Sequence, residues 1–178
     1  MTEIELVQGC LKEKRSYQKA LFDKYAPKML SVCKRYARHS MEAEDLLQDA
    51  FVRIFDKLGT FRGDGSLEGW IRRIVVHACI RNYRKSSFKK EQFGLESLPE
   101  EPVEAEAVDR LGVEELLKMI SGLPDGYRMV FNLFAIEGYS HAEIAEMIGC
   151  GESTSRSQLA KARKMLQSMV VETEIVRL

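Results

Sequence analysis

No run of this 178-residue sequence alternates apolar and polar residues between turn residues, whereas apolar residues recur at three- and four-residue intervals through most of it. A half-buried strand requires the first pattern, because successive side chains leave on opposite faces. A helix requires the second, because about 3.6 residues make a turn. The chain is therefore predicted to be all-α. A first helix is expected over Glu3–Leu11. A second runs from about Ser16 to Arg38, with Ala20, Leu21, Tyr25, Met29, Val32, Cys33 and Tyr36 near one stripe. Pro27 is expected to kink it, because the ring removes a hydrogen bond and clashes with the preceding turn. A third begins near Ser40, where Glu42, Glu44 and Asp45 favour the positive end of a helix dipole. It carries Leu46, Leu47, Ala50, Phe51, Ile54, Phe55 and Leu58 and stops at Gly59. Thr60–Ser66 reads as a loop, since it holds two glycines around an aspartate. A fourth helix, with Ser66 at its cap, runs from Leu67 to about Ser86 and carries Trp70, Ile71, Ile74, Val75, Ala78 and Tyr83 among arginines.

Residues 88–112 change character: they are acidic, contain two prolines and lack clear periodicity, so they read as a linker. Beyond them Val113, Leu116, Leu117 and Ile120 predict a short amphipathic helix ended by Gly122. Pro124 is expected just inside the start of the next helix, lined by Met129, Val130, Leu133 and Phe134 and ended by Gly138. Ser140-His-Ala-Glu143 then matches a capping box, in which hydroxyl and carboxylate each serve the other residue's orphan amide. Ile144, Ala145, Met147 and Ile148 supply a buried face, and Gly149 permits the positive φ with which helices commonly end. A last helix is expected from about Ser153 to Met169, with Leu159, Ala162, Leu166 and Met169 inward and Arg156, Lys161, Arg163 and Lys164 on or beside the other faces. Helix, short glycine turn and a helix with a polar, basic front make a helix-turn-helix. An ordinary helical hairpin with a basic outer face has the same pattern.

The formal net charge is zero, but its distribution is uneven. Residues 1–90 carry 19 Lys and Arg against 11 Asp and Glu, residues 91–117 carry 1 against 9, and residues 118–178 carry 7 against 7. A basic body of ninety residues points to a polyanionic partner. From Trp70 to Lys90 there are seven Lys and Arg and no acid, with the aromatic residues Phe61, Trp70 and Tyr83 in or near the stretch. Basic residues interleaved with aromatic ones suit phosphates and unstacked bases.

Several classes are excluded by what is missing. No apolar run reaches the roughly eighteen residues of a membrane span. The start, MTEIELVQGC, has no basic segment followed by an apolar core, so the protein is expected in the cytoplasm. The cysteines at 10, 33, 79 and 150 form no C-x-x-C pair, and His39, His77 and His141 do not cluster with them, so no metal is expected. No nucleophile–base pair or phosphate-binding glycine motif appears. The chain is expected to be no enzyme, with no catalytic residues and no cofactor.

Four segments, in order, carry a family resemblance: Ala43–Phe55 (AEDLLQDAFVRIF), Phe61–Ile71 (FRGDGSLEGWI), Ile74–Lys85 (IVVHACIRNYRK) and Tyr139–Gly149 (YSHAEIAEMIG) with the helix from Glu152 to Leu166. Together they resemble the extracytoplasmic-function class of bacterial RNA polymerase sigma-70 factors. The resemblance implies two small helical domains joined by an acidic linker. Residues 1–90 would be a region 2-like domain, 91–112 the linker, and 113–172 a region 4-like helix-turn-helix domain. It implies that Glu44, Asp45, Gln48, Asp49 and Arg53 face the RNA polymerase core, through a coiled coil of the largest subunit. The flap of the second-largest subunit is a further implied contact, and an anti-sigma factor a further implied partner. It implies that Phe61, Arg62, Ser66, Arg73, His77, Arg81, Arg84 and Lys85 meet and open promoter DNA at the minus-10 element. Thr154, Arg156, Ser157, Ala160, Lys161 and Lys164 would meet the minus-35 element, with Thr154 on a phosphate and Arg156 on guanine.

Within that frame Trp70 is expected in the core, and the loop Arg62–Ser66 is expected to form the base pocket. The chain departs from the family in places. His77 stands where the family often has asparagine, and is either a base contact or a surface histidine. Arg81 stands where aspartate is frequent. Ser153–Ser157 (STSRS) replaces the usual GTVKS, so Ser155 takes an apolar position and the packing there is open. The rival reading is a conventional helix-turn-helix regulator that never touches polymerase.

Overall fold

In the computed structural model the described residues are 2–92 and 112–176, with side chains described over 2–87 and 112–173. Among them are eight α-helices and no strand: α1 (Glu3–Leu11), α2 (Arg15–Tyr36), α3 (Ser40–Lys57), α4 (Leu67–Gln92), α5 (Val113–Gly122), α6 (Asp125–Phe131), α7 (His141–Ile148) and α8 (Glu152–Val176). A 3-10 turn follows α3 at Leu58–Thr60, and a π-helical turn follows α6 at Asn132–Ile136. The chain divides into two compact units, Met1–Cys79 and Ile80–Leu178. The acidic segment and its expected course as a linker fall mostly on 93–111, outside the described residues.

The first unit follows the apolar stripes. Leu21, Tyr25, Met29, Val32, Cys33 and Tyr36 of α2 are buried, as are Leu46, Leu47, Ala50, Phe51 and Ile54 of α3 and Leu67, Ile71, Val75, Ala78 and Cys79 of α4. α2 continues through Pro27. α1 opens with a capping box that the sequence reading missed: Thr2 Oγ1 accepts from Glu5 N at 3.2 Å and Glu5 Oε2 accepts from Thr2 N at 2.8 Å. α3 is capped by His39, whose Nδ1 accepts from the Glu42 amide at 3.2 Å. α1 lies close against α2 because Gly9 faces the Tyr17 ring, where an added Cβ would come within 2.1 Å of ring carbons.

The second unit departs further from expectation. Met119 and Ile120 of α5 are buried, but Val113 is 75% exposed and Leu116 also faces solvent. The first turn of α5 thus presents apolar residues outward, and the buried stripe is shorter than its periodicity suggested. Pro124 stands at the N-cap of α6, one position outside the helix, where its missing N–H costs nothing. α6 ends at Phe131, before the expected Gly138, because the ladder widens to i→i+5, with Glu137 N donating to Asn132 O at 3.0 Å.

Arg128 is buried in the α5–α6 corner. Its Nη1 donates to Ser121 O at 3.0 Å and Leu123 O at 2.6 Å, and its Nη2 pairs with Asp125 Oδ1 at 2.6 Å. A guanidinium therefore satisfies carbonyls that the end of α5 leaves open. Met119, Ile120 and Leu123 pack with Ala162, Leu166 and Val170 of α8, and Met169 is only partly buried. α8 runs seven residues beyond the expected end, to Val176, and Val170 continues its inward stripe.

Gly9→Ala is expected to cost about 1–3 kcal/mol, since overpacking forces the ring or the backbone to shift. Thermal unfolding of the full chain reads this as a lowered midpoint. An unchanged midpoint would mean that Tyr17 leaves Gly9 without penalty.

Candidate nucleic-acid interface

α4 divides its faces. With one stripe buried, Arg73, His77, Arg84 and Lys85 remain exposed and Arg81 is half-buried, at the three- and four-residue spacing that puts all five along one side of the helix. At the N-terminal end of α4 the chain forms a cavity of about 390 Å³, lined by Thr60, Phe61, Arg62, Asp64, Gly65, Ser66, Gly69, Trp70 and Arg73. Phe61, Arg62, Ser66 and Arg73 are thus brought together, while His77, Arg81, Arg84 and Lys85 lie further along the helix.

Trp70, expected in the core, is half-buried instead and lines the cavity, with its ring 5.6 Å from that of Phe61 at 57°. The physical reason is its register: Ile71 occupies the buried position, and its neighbour is turned about 100° away. Ser66 caps α4, its Oγ accepting from Gly69 N at 3.1 Å. Gly63 and Gly65 have φ of +79° and +149°, values that favour glycine and keep side chains off the rim. Arg62 and Arg73 supply positive charge, and Asp64 a hydrogen-bond acceptor.

On α3, Glu44, Asp45, Gln48 and Asp49 are exposed on the side opposite the core, and Arg53 is half-buried with Nη2 3.9 Å from Asp49 Oδ2. Val52, 62% exposed, adds an apolar residue to this polar face that the sequence reading overlooked.

In the second unit Ser140 and Glu143 form the expected capping box. Ser140 Oγ accepts from Glu143 N at 3.2 Å, and Glu143 Oε2 accepts from Ser140 N at 2.8 Å. Gly149 ends α7 at φ +75°, with its amide on Ala145 O. α8 follows after a short turn, and Thr154, Arg156, Ser157, Ala160 and Lys161 are exposed on its front, with Lys164 half-buried. Arg156 is held by Glu152, Ser157 Oγ donates to Thr154 O at 3.0 Å, and the Lys161 ammonium lies 5.9 Å from the Tyr127 ring centre.

Ser155, the position left open by the sequence, is fully buried with its Oγ 2.9 Å from His141 Nδ1. The His141 ring stacks on Phe134 at 4.4 Å, and the Arg163 guanidinium lies 5.8 Å from the same ring. A buried hydroxyl is tolerated because it has a partner. Spacing alone marks Ser155 as inward, since it precedes Leu159, Ala162 and Leu166 on one stripe. Its partner, fourteen residues away, carries no local signal.

Cys10, Cys33 and Cys79 are buried free thiols and Cys150 is half-buried; burial pushes the Cys10 and Cys150 thiols up. No group of three or more metal-ligating side chains occurs among the described residues, and no described helix is long and apolar enough to cross a membrane.

Comparison with known proteins bears on this geometry. Residues 21–88 match the family model described as Sigma-70 region 2, and residues 113–166 that of Sigma-70, region 4. The chain is 28% identical to the ECF RNA polymerase sigma-E factor of Escherichia coli K12, covering 96% of this chain and 95% of that one. It is 29% identical to the ECF RNA polymerase sigma factor SigM of Mycobacterium tuberculosis, over 84% of this chain and 75% of that one. Among solved structures, the sigma factor RpoE of Bartonella quintana, crystallised with the anti-sigma factor NepR, shares the fold. Its TM-score is 0.50 at 22% identity, over 85% of this chain and 94% of that one.

The Glu143 carboxyl lies below its ordinary value of 4.5, chiefly because the Ser140 amide donates to it. A depressed folded value means that the ionised form stabilises α7. That contribution is present above pH 4.5 and is lost as pH falls through the depressed value. Thermal midpoints of the unaltered chain and Glu143→Gln should therefore differ at neutral pH and converge in acid. A difference that persists in acid would show that charge is not what the box uses.

Proposed function

We propose a division of labour within this chain, which belongs to the extracytoplasmic-function class of the RNA polymerase sigma-70 family and is a transcription initiation factor. Residues 1–90 bind the polymerase core and open the minus-10 element, 91–112 connect, and 113–172 bind the minus-35 element. The polymerase supplies the covalent chemistry, and the chain acts in the cytoplasm as a binding and melting factor without being an enzyme itself.

The cavity beneath the loop Phe61–Ser66 carries this reading. An extruded base stacked on an aromatic face gains about 1–3 kcal/mol. That offsets the few kcal/mol needed to unstack and unpair it. Phe61 and Trp70 supply ring faces, while Arg62, Ser66 and Arg73 supply charge and hydrogen bonds around them. Further along α4, His77, Arg81, Arg84 and Lys85 track the strand, so affinity falls as salt rises.

The exposed acids of α3, with Gln48, Arg53 and Val52, meet a basic, partly apolar coiled coil of the largest subunit. The flap of the second-largest subunit receives the second unit. In that unit Thr154, Lys161 and Lys164 hold phosphates while Arg156, Ser157 and Ala160 face base edges. Arg156 must exchange Glu152 for a guanine, an exposed ion pair worth little against a bidentate base contact. The Bartonella relative's complex with NepR supports a comparable anti-sigma partner for this chain.

Transcription by core polymerase plus this chain on a random promoter library tests the whole reading. Selected templates should share two upstream elements; an absence of transcripts and of core binding together would sink it. On a selected promoter, Trp70→Ala is expected to slow opening by about one to two orders of magnitude while core affinity holds, matching about 1–3 kcal/mol of lost stacking. Arg156→Ala is expected to relax a guanine preference worth about 1–3 kcal/mol at one minus-35 position, read by binding to base-substituted duplexes.

A further inference from the structure

The cavity hangs on the first turn of α4. The amides of a helix's first turn have no partner within the helix. Ser66 Oγ takes the Gly69 amide. The Leu67 amide is met from the other end of the unit: Glu3 Oε2, on α1, accepts from it at 3.4 Å. The other oxygen, Glu3 Oε1, accepts from the Tyr25 hydroxyl of α2 at 3.0 Å, and Tyr25 is 1% exposed. One carboxylate thus spans α1, α2 and the start of α4, where its charge also complements the helix dipole. One residue on, Glu68 Oε2 accepts from Lys28 Nζ of α2 at 2.8 Å, a second and more exposed strut.

At its ends the loop is held by Phe61 against the Trp70 ring and by the Ser66 cap, whereas a Cβ built on Gly63 or Gly65 at its tip would find no atom within 4 Å. Its course is set at its ends, by buried Leu58 before it and buried Leu67 after it. Glu3 precedes the segments matched by either family model and is not itself among the residues that line the cavity.

We propose that Glu3 is a positioning residue for promoter opening: by fixing the Leu67 amide against Tyr25, it holds the loop Phe61–Ser66 at the height at which the cavity accepts an extruded base. This rests on the cavity being the base pocket. Glu3→Gln keeps the size but loses the charge and one acceptor. Tyr25→Phe removes only the hold from α2.

The test uses holoenzyme assembled from core polymerase and the full chain, on a promoter drawn from the library. 2-Aminopurine, placed in turn at each minus-10 position, locates the captured base with the unaltered protein. Opening is then measured on that promoter and on one made abasic at the same position. Glu3→Gln is expected to slow opening about tenfold on the intact promoter, the scale of one hydrogen bond to a charged group. On the abasic promoter the change should stay within about twofold, the scatter of independent effects. Tyr25→Phe should show the same pattern with a smaller loss.

Equal losses on both templates would reduce Glu3 to a general structural role and overturn the proposal, as would no loss on either. If no position responds with the unaltered protein, the base pocket itself fails and Glu3 with it. That outcome is told apart because it involves no variant.

Discussion

Burial of Leu67, Ile71, Val75 and Cys79 is the constraint on which the first unit depends. α4 carries too many like charges to be stable as an isolated helix. Its apolar stripe, removed from water, pins the helix in rotation as well as position. Every other stripe is then assigned: Arg73, His77 and Lys85 must face solvent, and Trp70 must stand at the margin between. The loop before α4 inherits its position from the same burial. The basic surface is thus a consequence of the core.

The second unit depends more on polar satisfaction. Three of its helices, α5, α6 and α7, are short, so their open ends form a large share of their backbone. Ser140 and Glu143 close one end, Gly149 another and Arg128 a third. His141 and Ser155 join the two helices of the helix-turn-helix through a part-buried hydrogen bond. Such pairs add direction to packing that apolar contacts alone leave loose, because an unmade buried bond costs more than a made one gains. The front of α8 is therefore presented by a frame whose hydrogen bonds specify one arrangement.

Local chemistry was mostly legible where partners are near in sequence, although the capping box of Thr2 and Glu5 was overlooked. The capping box at Ser140, the positive φ at Gly149, the cap at Ser66 and most of the inward stripes of α2, α3 and α8 could be read directly. The other departures arose where the deciding neighbour is remote. Trp70 is large and apolar, so periodicity assigns it to the core, yet only the packing of Ile71 decides which of two adjacent residues goes in. Val113 and Leu116 fit an amphipathic stripe, but among the described residues that first turn is left exposed. The burial of Arg128 has no signal in the spacing, because the carbonyls of Ser121 and Leu123 that satisfy it come from the preceding helix end.

The sequence by itself determined the all-helical class, the order of the four sigma-like segments and the sign of charge each presents. These follow from spacing and composition, which act between residues a turn apart. The tertiary structure decided that Phe61, Arg62, Ser66, Trp70 and Arg73 share one cavity and that Glu3 reaches its edge across sixty-four residues. It also decided that Ser155 has a partner. Each is a meeting of groups distant in the chain, and such meetings exist only once burial of the cores has brought the helices together.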